Sequence, residues 1–188
     1  MSLYSISLFL HIVGALGLFA VFVLEWAGLS HLRRAAEGAQ VREWVGLVAA
    51  ARVAGGPTAL LILVTGIHMS ATRWGPQGWI LVGLAGMVVI AVLSLGVSGR
   101  RAAAIARAPA EPGPISPALR RQLHDPVLLL SLWLRTALFL GVVFVMATEP
   151  GAAGALAALA AAGAIGLAAA APAWAGGRRQ ARMAGSER

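Results

Sequence analysis

Cysteine and lysine are both absent from the 188 residues, and charged residues of either sign are scarce. Without cysteine the chain can form neither a disulfide nor a thiolate metal site. Only 12% of the residues are charged, 59% are hydrophobic and the mean hydropathy is +0.81. A soluble domain of this length carries more charge. The composition therefore predicts an integral membrane protein.

Five apolar runs are long enough to cross the roughly 30 Å hydrocarbon core of a bilayer. They span about 4–29, 46–71, 78–98, 126–148 and 152–175. We expect an all-α fold with a single transmembrane domain over 1–175 and a basic tail over 176–188. The first four helices are expected to form an antiparallel bundle. The fifth is nearly all alanine and glycine, so it is expected to pack on that bundle or on a second copy in a homo-oligomer.

The basic residues, all arginine, are distributed unevenly between the two sets of connections. Two connections and the tail hold twelve of them, at positions 33, 34, 42, 100, 101, 107, 120, 121, 178, 179, 182 and 188, whereas the opposite connections hold only Arg73. By the positive-inside rule this predicts an N-terminus outside and a C-terminus in the cytoplasm. The net charge of +8 thus indicates membrane topology and not a nucleic-acid site. Richness in alanine, glycine and arginine suggests a bacterial protein of the inner membrane.

The first run carries one stripe of small and polar residues. Steps of four and three bring its members to one face of a helix: Ser7, His11, Gly14, Leu18, Val21, Glu25 and Gly28. We expect this face to turn into the bundle.

Ionisable residues inside these runs are the main functional candidates, because each costs about 2.5–3.5 kcal/mol on insertion scales for charged groups at mid-helix. Glu25 and Arg52 have opposite charge and similar expected depth on consecutive helices. An ion pair that neutralises both is the simplest interpretation, and a proton relay is the alternative. Arg135 is expected between this inner layer and an outer one.

The outer layer contains His11 and His68 at similar expected depth, with Met69 and Met146 nearby. One hypothesis is b-type haem, with His11 as one axial ligand and His68 or Met146 as the other. Arg135 would then pair with a propionate or a quinone oxygen. The protein would exchange electrons with a quinone or a redox partner protein.

Two other hypotheses remain open for the same residues. In the first, His11, His68 and Met69 form a metal site of a copper permease or copper-handling protein, with Met146 as a further soft ligand. In the second, the chain is an accessory or structural subunit without a cofactor, and its polar residues only fix the helix packing.

Two short segments carry a resemblance to known families. Residues 8–15, LFLHIVGA, resemble the start of the first helix in the copper-resistance D family and in the HemJ-type protoporphyrinogen oxidases. Residues 61–67, LILVTGI, resemble the end of the second helix in those proteins and in a related family of predicted bacterial integral membrane proteins. The resemblance is closest to that last family. It implies a helical membrane protein over 1–148, and by analogy with the HemJ-type enzymes it implies a role for His11 in haem binding. The lack of lysine and of the aromatic segment after His11 argues against protoporphyrinogen oxidation.

Overall fold

The computed structural model describes residues 2–108 and 113–186, with side chains in the last helix up to residue 172. Its elements are α1 (Leu3–Arg34), α2 (Gly38–Met69), a π-helical turn (Ser70–Trp74), α3 (Gly78–Val92), a π-helical segment (Leu93–Gly99), α4 (Arg100–Arg107), α5 (Pro117–Leu123), α6 (Pro126–Thr148) and α7 (Ala152–Ser186). Within the described ranges the only β-type pairing is an isolated bridge between Glu37 and Pro114.

Five helical stretches are long and apolar enough to cross a membrane, which confirms the prediction of an all-α multi-pass membrane protein. They are Leu3–Arg34, Gly38–Trp74, Gly78–Arg107, Pro117–Thr148 and Ala152–Pro172. Several are longer than the apolar runs. The extensions are rich in arginine and alanine, which favour helix at least as strongly as leucine does. Hydropathy therefore located the helices, but several of them begin before the predicted apolar run or end after it.

Local capping sets where α1 and α6 begin. The Ser2 hydroxyl accepts a hydrogen bond from the Ser5 backbone N–H at 3.2 Å, and the Asp125 carboxylate accepts one from Val127 at 2.9 Å. Both are side-chain oxygens that satisfy free N–H groups of a first turn. Helix α6 ends where Glu149 adopts a left-handed conformation with φ 48°, just before Pro150.

The stripe on α1 faces the interior, as predicted. Its central members are buried, namely Gly14, Leu18, Val21, Glu25 and Gly28, together with Phe22 and Leu32. Ser7 and His11 are half-buried at the start of the helix. Most apolar residues on the opposite face are exposed, as a lipid-facing surface requires.

Glycines bring neighbouring helices close together. A Cβ atom at Gly14 would lie 2.9 Å from Ile62 Cγ1, so α1 and α2 pack almost backbone to backbone. Helix α7 packs on α6 in the same way, since a Cβ atom at Gly166 would lie 3.0 Å from the Ala137 Cβ atom. Contact with α6 is one of the two alternatives predicted for the fifth helix. The homo-oligomer stays a prediction.

The two long connections form a small structured region. Gly38 donates to the Gly113 carbonyl at 3.0 Å, and Ile115 donates to the Ala36 carbonyl at 3.2 Å. Beneath these bonds is an apolar cluster made by Leu32, Ala35, Val41, Ile105, Leu119, Leu123 and Leu128. We call the two long connections, together with this apolar cluster, the connection end. The four residues 109–112 lie outside the described ranges.

Candidate functional site

Three ionisable side chains from three helices meet inside the protein. Arg52 Nη1 donates to Glu25 Oε1 at 3.1 Å, and Arg135 Nη2 donates to Glu25 Oε2 at 2.6 Å. We call Glu25, Arg52 and Arg135 the inner charged group. It holds the predicted partners Glu25 and Arg52 and adds Arg135, which the sequence placed between the two layers.

The two arginines differ in their exposure and in the number of hydrogen bonds that hold them. Arg135 is 3% exposed, and its other donors bond the Ser131 carbonyl at 3.3 Å and the Ser94 hydroxyl at 3.0 Å. The side chain of Arg52 is 21% exposed. Arg135 is therefore held by three hydrogen bonds and is closed off from solvent, whereas Arg52 is held by two and keeps an exposed side.

The π-helical segment Leu93–Gly99 supplies further acceptors to this group. The Ser94 carbonyl accepts from Arg52 Nη2 at 2.6 Å, while the Ser94 hydroxyl accepts from Arg135. A π-helical stretch changes the i to i−4 bonding pattern, and such stretches are frequent at functional sites. Nearby, Ser98 donates to the Ser131 hydroxyl at 2.8 Å and so ties this segment to α6.

A cavity of about 290 Å³ adjoins the inner charged group. Glu25, Arg52 and Arg135 are its only ionisable lining residues among those the structure describes, and Ser98 is its only hydroxyl. The remaining walls are alanine, glycine, valine, leucine and isoleucine, and they reach Leu32, Ile105 and Leu128 of the connection end. The cavity thus has a charged end and apolar walls.

The charges of this group do not cancel. At neutral pH two guanidiniums and one carboxylate sum to one positive charge, and both oxygens of Glu25 are already bonded. A buried charge is unfavourable unless a counter-charge compensates it. The cavity is therefore chemically suited to an anion attached to an apolar body.

The outer histidines lie in the interface of α1 and α2. His11 Nδ1 is 3.0 Å from the Ile62 carbonyl oxygen and 3.1 Å from the Thr65 hydroxyl. His68 Nδ1 is 2.8 Å from the Ser7 hydroxyl, one turn before His11. The two imidazoles, which we call the outer histidine pair, therefore share one interface at neighbouring levels.

The remaining predicted ligands are placed differently. Met146 lies against Gly83 in the interface of α3 and α6, and Arg135 bonds Glu25 in the inner charged group. Met69 directly follows His68, and adjacent residues of a helix do not face the same way. Among the described residues there is no group of three or more His, Asp or Glu side chains that could hold a metal ion.

A haem between α1 and α2 does not fit this packing. A Cβ atom at Gly66 would lie 3.3 Å from His11 Cε1, so the imidazole already lies against the backbone of α2. A macrocycle needs a space that separates its two axial ligands, and Gly14 closes the same interface one turn further on. Haem binding by His11 with His68 stays a prediction that this packing does not favour.

Comparison of the chain with protein families, with curated proteins and with solved structures gave no match in any of the three. The resemblance of residues 8–15 and 61–67 therefore stays a prediction.

The roles of Ser94 and Ser98, and the cavity, were not predicted from the sequence. Ser94 and Ser98 are four residues apart on the third apolar run, a spacing that puts them on one helix face. That spacing was the available signal, since two hydroxyls in a run otherwise apolar suggest a buried partner. The π-helical geometry that exposes the Ser94 carbonyl has no comparable sequence pattern.

Proposed function

We propose that this protein is a multi-pass protein of the bacterial inner membrane that binds a small amphipathic organic anion and carries it into or across the membrane. The anionic head would lie at the inner charged group and the hydrocarbon body in the apolar cavity. The observation that carries the proposal is a largely buried cluster with one net positive charge at the end of an apolar cavity.

Orientation supports access from the cytoplasm. The positive-inside rule places the arginine-rich connections in the cytoplasm and the N-terminus outside. The cavity extends from the inner charged group to residues of the connection end, so on this orientation it faces the cytoplasmic half of the membrane. Ionisable residues at such depth typically mark a substrate or ion pathway.

Size supports a small ligand. A cavity of about 290 Å³ lies at the lower end of the roughly 300–1,000 Å³ range of small-molecule pockets. Its apolar walls would hold a short alkyl or aryl group. The most suitable ligand is a carboxylate or a related acid on such a body.

Arg52 is the residue we assign to the anion. It is the more exposed of the two arginines and has donors that Glu25 and Ser94 do not use. Arg135 would act as a positioning residue, because its bonds to Glu25, Ser94 and Ser131 fix the carboxylate against which Arg52 is held.

Binding to the purified protein tests the proposal. Isothermal titration of the full chain in mild detergent with phenylacetate should give saturable binding, whereas acetate, which lacks the body, should bind at least about tenfold more weakly. Arg52→Gln should weaken phenylacetate binding by about ten- to a hundredfold, as expected for loss of a charged hydrogen bond of about 1.5–3 kcal/mol.

Arg73→Gln is the matched control. Arg73 is exposed in the π-helical turn that follows α2, far along the chain from Arg52, and its guanidinium lies 4.9 Å from the centre of the Tyr4 ring. The same substitution there removes one positive charge without touching the cavity. Equal weakening in the two variants, or no saturable binding to the unmodified protein, would contradict the proposed site.

Copper handling at the outer histidine pair is the second candidate. The shared interface of His11 and His68 supports it, because a single ion needs less space than a macrocycle. With both Nδ1 atoms hydrogen-bonded, the Nε2 atoms would be the ligands. An absorption spectrum, oxidised and then reduced, with metal analysis of the same sample, separates copper, haem and an accessory role without cofactor. If the protein still binds metal after both His11 and His68 are replaced, this pair is not the metal site.

A further inference from the structure

We propose that Glu25 is a specificity residue that restricts the ligand of the inner cavity to one negative charge. This inference rests on the proposed function, since it concerns the ligand of the same cavity. It assigns the carboxylate a task beyond holding two arginines in place.

The inference begins with the number of charges around the cavity. Glu25 is 5% exposed and gives one oxygen to each arginine, so it offsets one of the two positive charges. No other ionisable residue of the described chain lines the cavity. The site therefore lacks one negative charge.

The apolar surroundings make the net charge of the site selective for the charge of the ligand. Apart from Ser98, the described lining residues outside the charged end carry no side-chain dipole, so they solvate an excess charge poorly. A neutral ligand would leave one positive charge uncompensated, and a dianion would leave one negative charge. A monoanion leaves none, and interactions between charges are stronger in such a low-dielectric space than in water.

Glu25 also cannot leave the site easily. Its two oxygens bond guanidiniums from different helices, α2 and α6, so both bonds would have to break together. The ligand therefore meets the remaining positive charge and does not displace the carboxylate.

Three ligands that share a phenyl group but differ in charge test this preference. They are benzyl alcohol, phenylacetate, and phenylphosphonate at a pH where the phosphonate carries two charges. Affinities are measured by titration of the full chain in detergent, for the unmodified protein, Glu25→Gln and Arg52→Gln. We expect the unmodified protein to prefer the monoanion by about tenfold or more over both other ligands. Glu25→Gln should shift the preference to the dianion, and Arg52→Gln to the neutral alcohol.

The outcomes separate the two proposals. If the unmodified protein binds none of the three ligands, the proposed function fails and the inference with it. If it binds phenylacetate but Glu25→Gln keeps the same order of affinities, only the specificity role is overturned. Should one variant not fold, the other still tests the count. Should neither fold, a preference of the unmodified protein for the dianion or for the alcohol overturns the inference.

Discussion

The inner charged group and the outer histidine pair are both polar sites in an apolar protein, but they are built differently. The inner group joins α1, α2, α6 and the π-helical segment through charged hydrogen bonds. The outer pair joins α1 to α2 through bonds to a backbone carbonyl and to two hydroxyls. Removing part of the inner group leaves a buried charge, whereas removing part of the outer pair leaves neutral groups. The two sites should therefore differ in what they contribute to stability.

The largest expected effect is that of Glu25→Leu. It leaves Arg52 and Arg135 close together without their carboxylate, and breaking a buried ion pair in this way costs about 3–5 kcal/mol. We expect a loss of that size in the free energy of unfolding, measured by SDS titration in mixed micelles. A loss below that of His11→Ala would reverse the order that we assign to the two sites.

Replacing all three members of the inner charged group at once should recover a large part of that loss. Buried ion pairs and triads can often be exchanged for apolar residues of similar volume without loss of stability. We expect the triple variant Glu25→Leu, Arg52→Leu and Arg135→Leu to be more stable than Glu25→Leu alone, by about 2 kcal/mol or more. Phenylacetate binding should be absent, which separates the stability of the site from its function. A triple variant as unstable as Glu25→Leu would mean that the hydrogen bonds, and not the balance of charge, hold the helices.

These sites show which parts of the structure follow from sequence. Apolar runs and the stripe on α1 predict the helices and the buried face, because both depend only on side-chain polarity and helical period. Opposite charge at equal depth leads to Glu25 and Arg52. Arg135 is harder to place, since depth counted along the backbone locates its Cα atom while its long side chain carries the guanidinium to Glu25. The cavity depends on how three helices and a π-helical segment pack, which no single segment specifies.

An intermediate effect is expected for Gly14→Ala, between the two sites on α1. The added Cβ atom would lie 2.9 Å from Ile62 Cγ1 and 3.3 Å from the Ile62 nitrogen and the Thr58 carbonyl oxygen. Backbone atoms cannot rotate away, so we expect a loss of about 1–3 kcal/mol in the free energy of unfolding. Because Ile62 accepts the bond from His11, the outer pair should be disturbed more than the inner group.

Gly46→Ala is the control for this substitution. Gly46 lies inside α2, and an added Cβ atom there would meet no atom within 4 Å. Alanine favours helix over glycine, so a gain of up to about 1 kcal/mol is expected. Equal losses at Gly14 and Gly46 would show that close packing of α1 on α2 is not the cause.

The smallest effect is expected for His11→Ala. The change removes a bond to the Ile62 carbonyl and to Thr65, whose hydroxyl keeps its own bond to Leu61 at 2.5 Å, so about 1 kcal/mol should be lost. His11 and Glu25 are separated by about 21 Å along α1, a distance at which mutational effects normally add. We therefore expect His11→Ala to leave phenylacetate affinity unchanged, and its cost to be the same with Glu25 or with Gln at position 25. A coupling energy above about 0.5 kcal/mol in that double-mutant cycle would contradict this expectation and show that the two sites are coupled along α1.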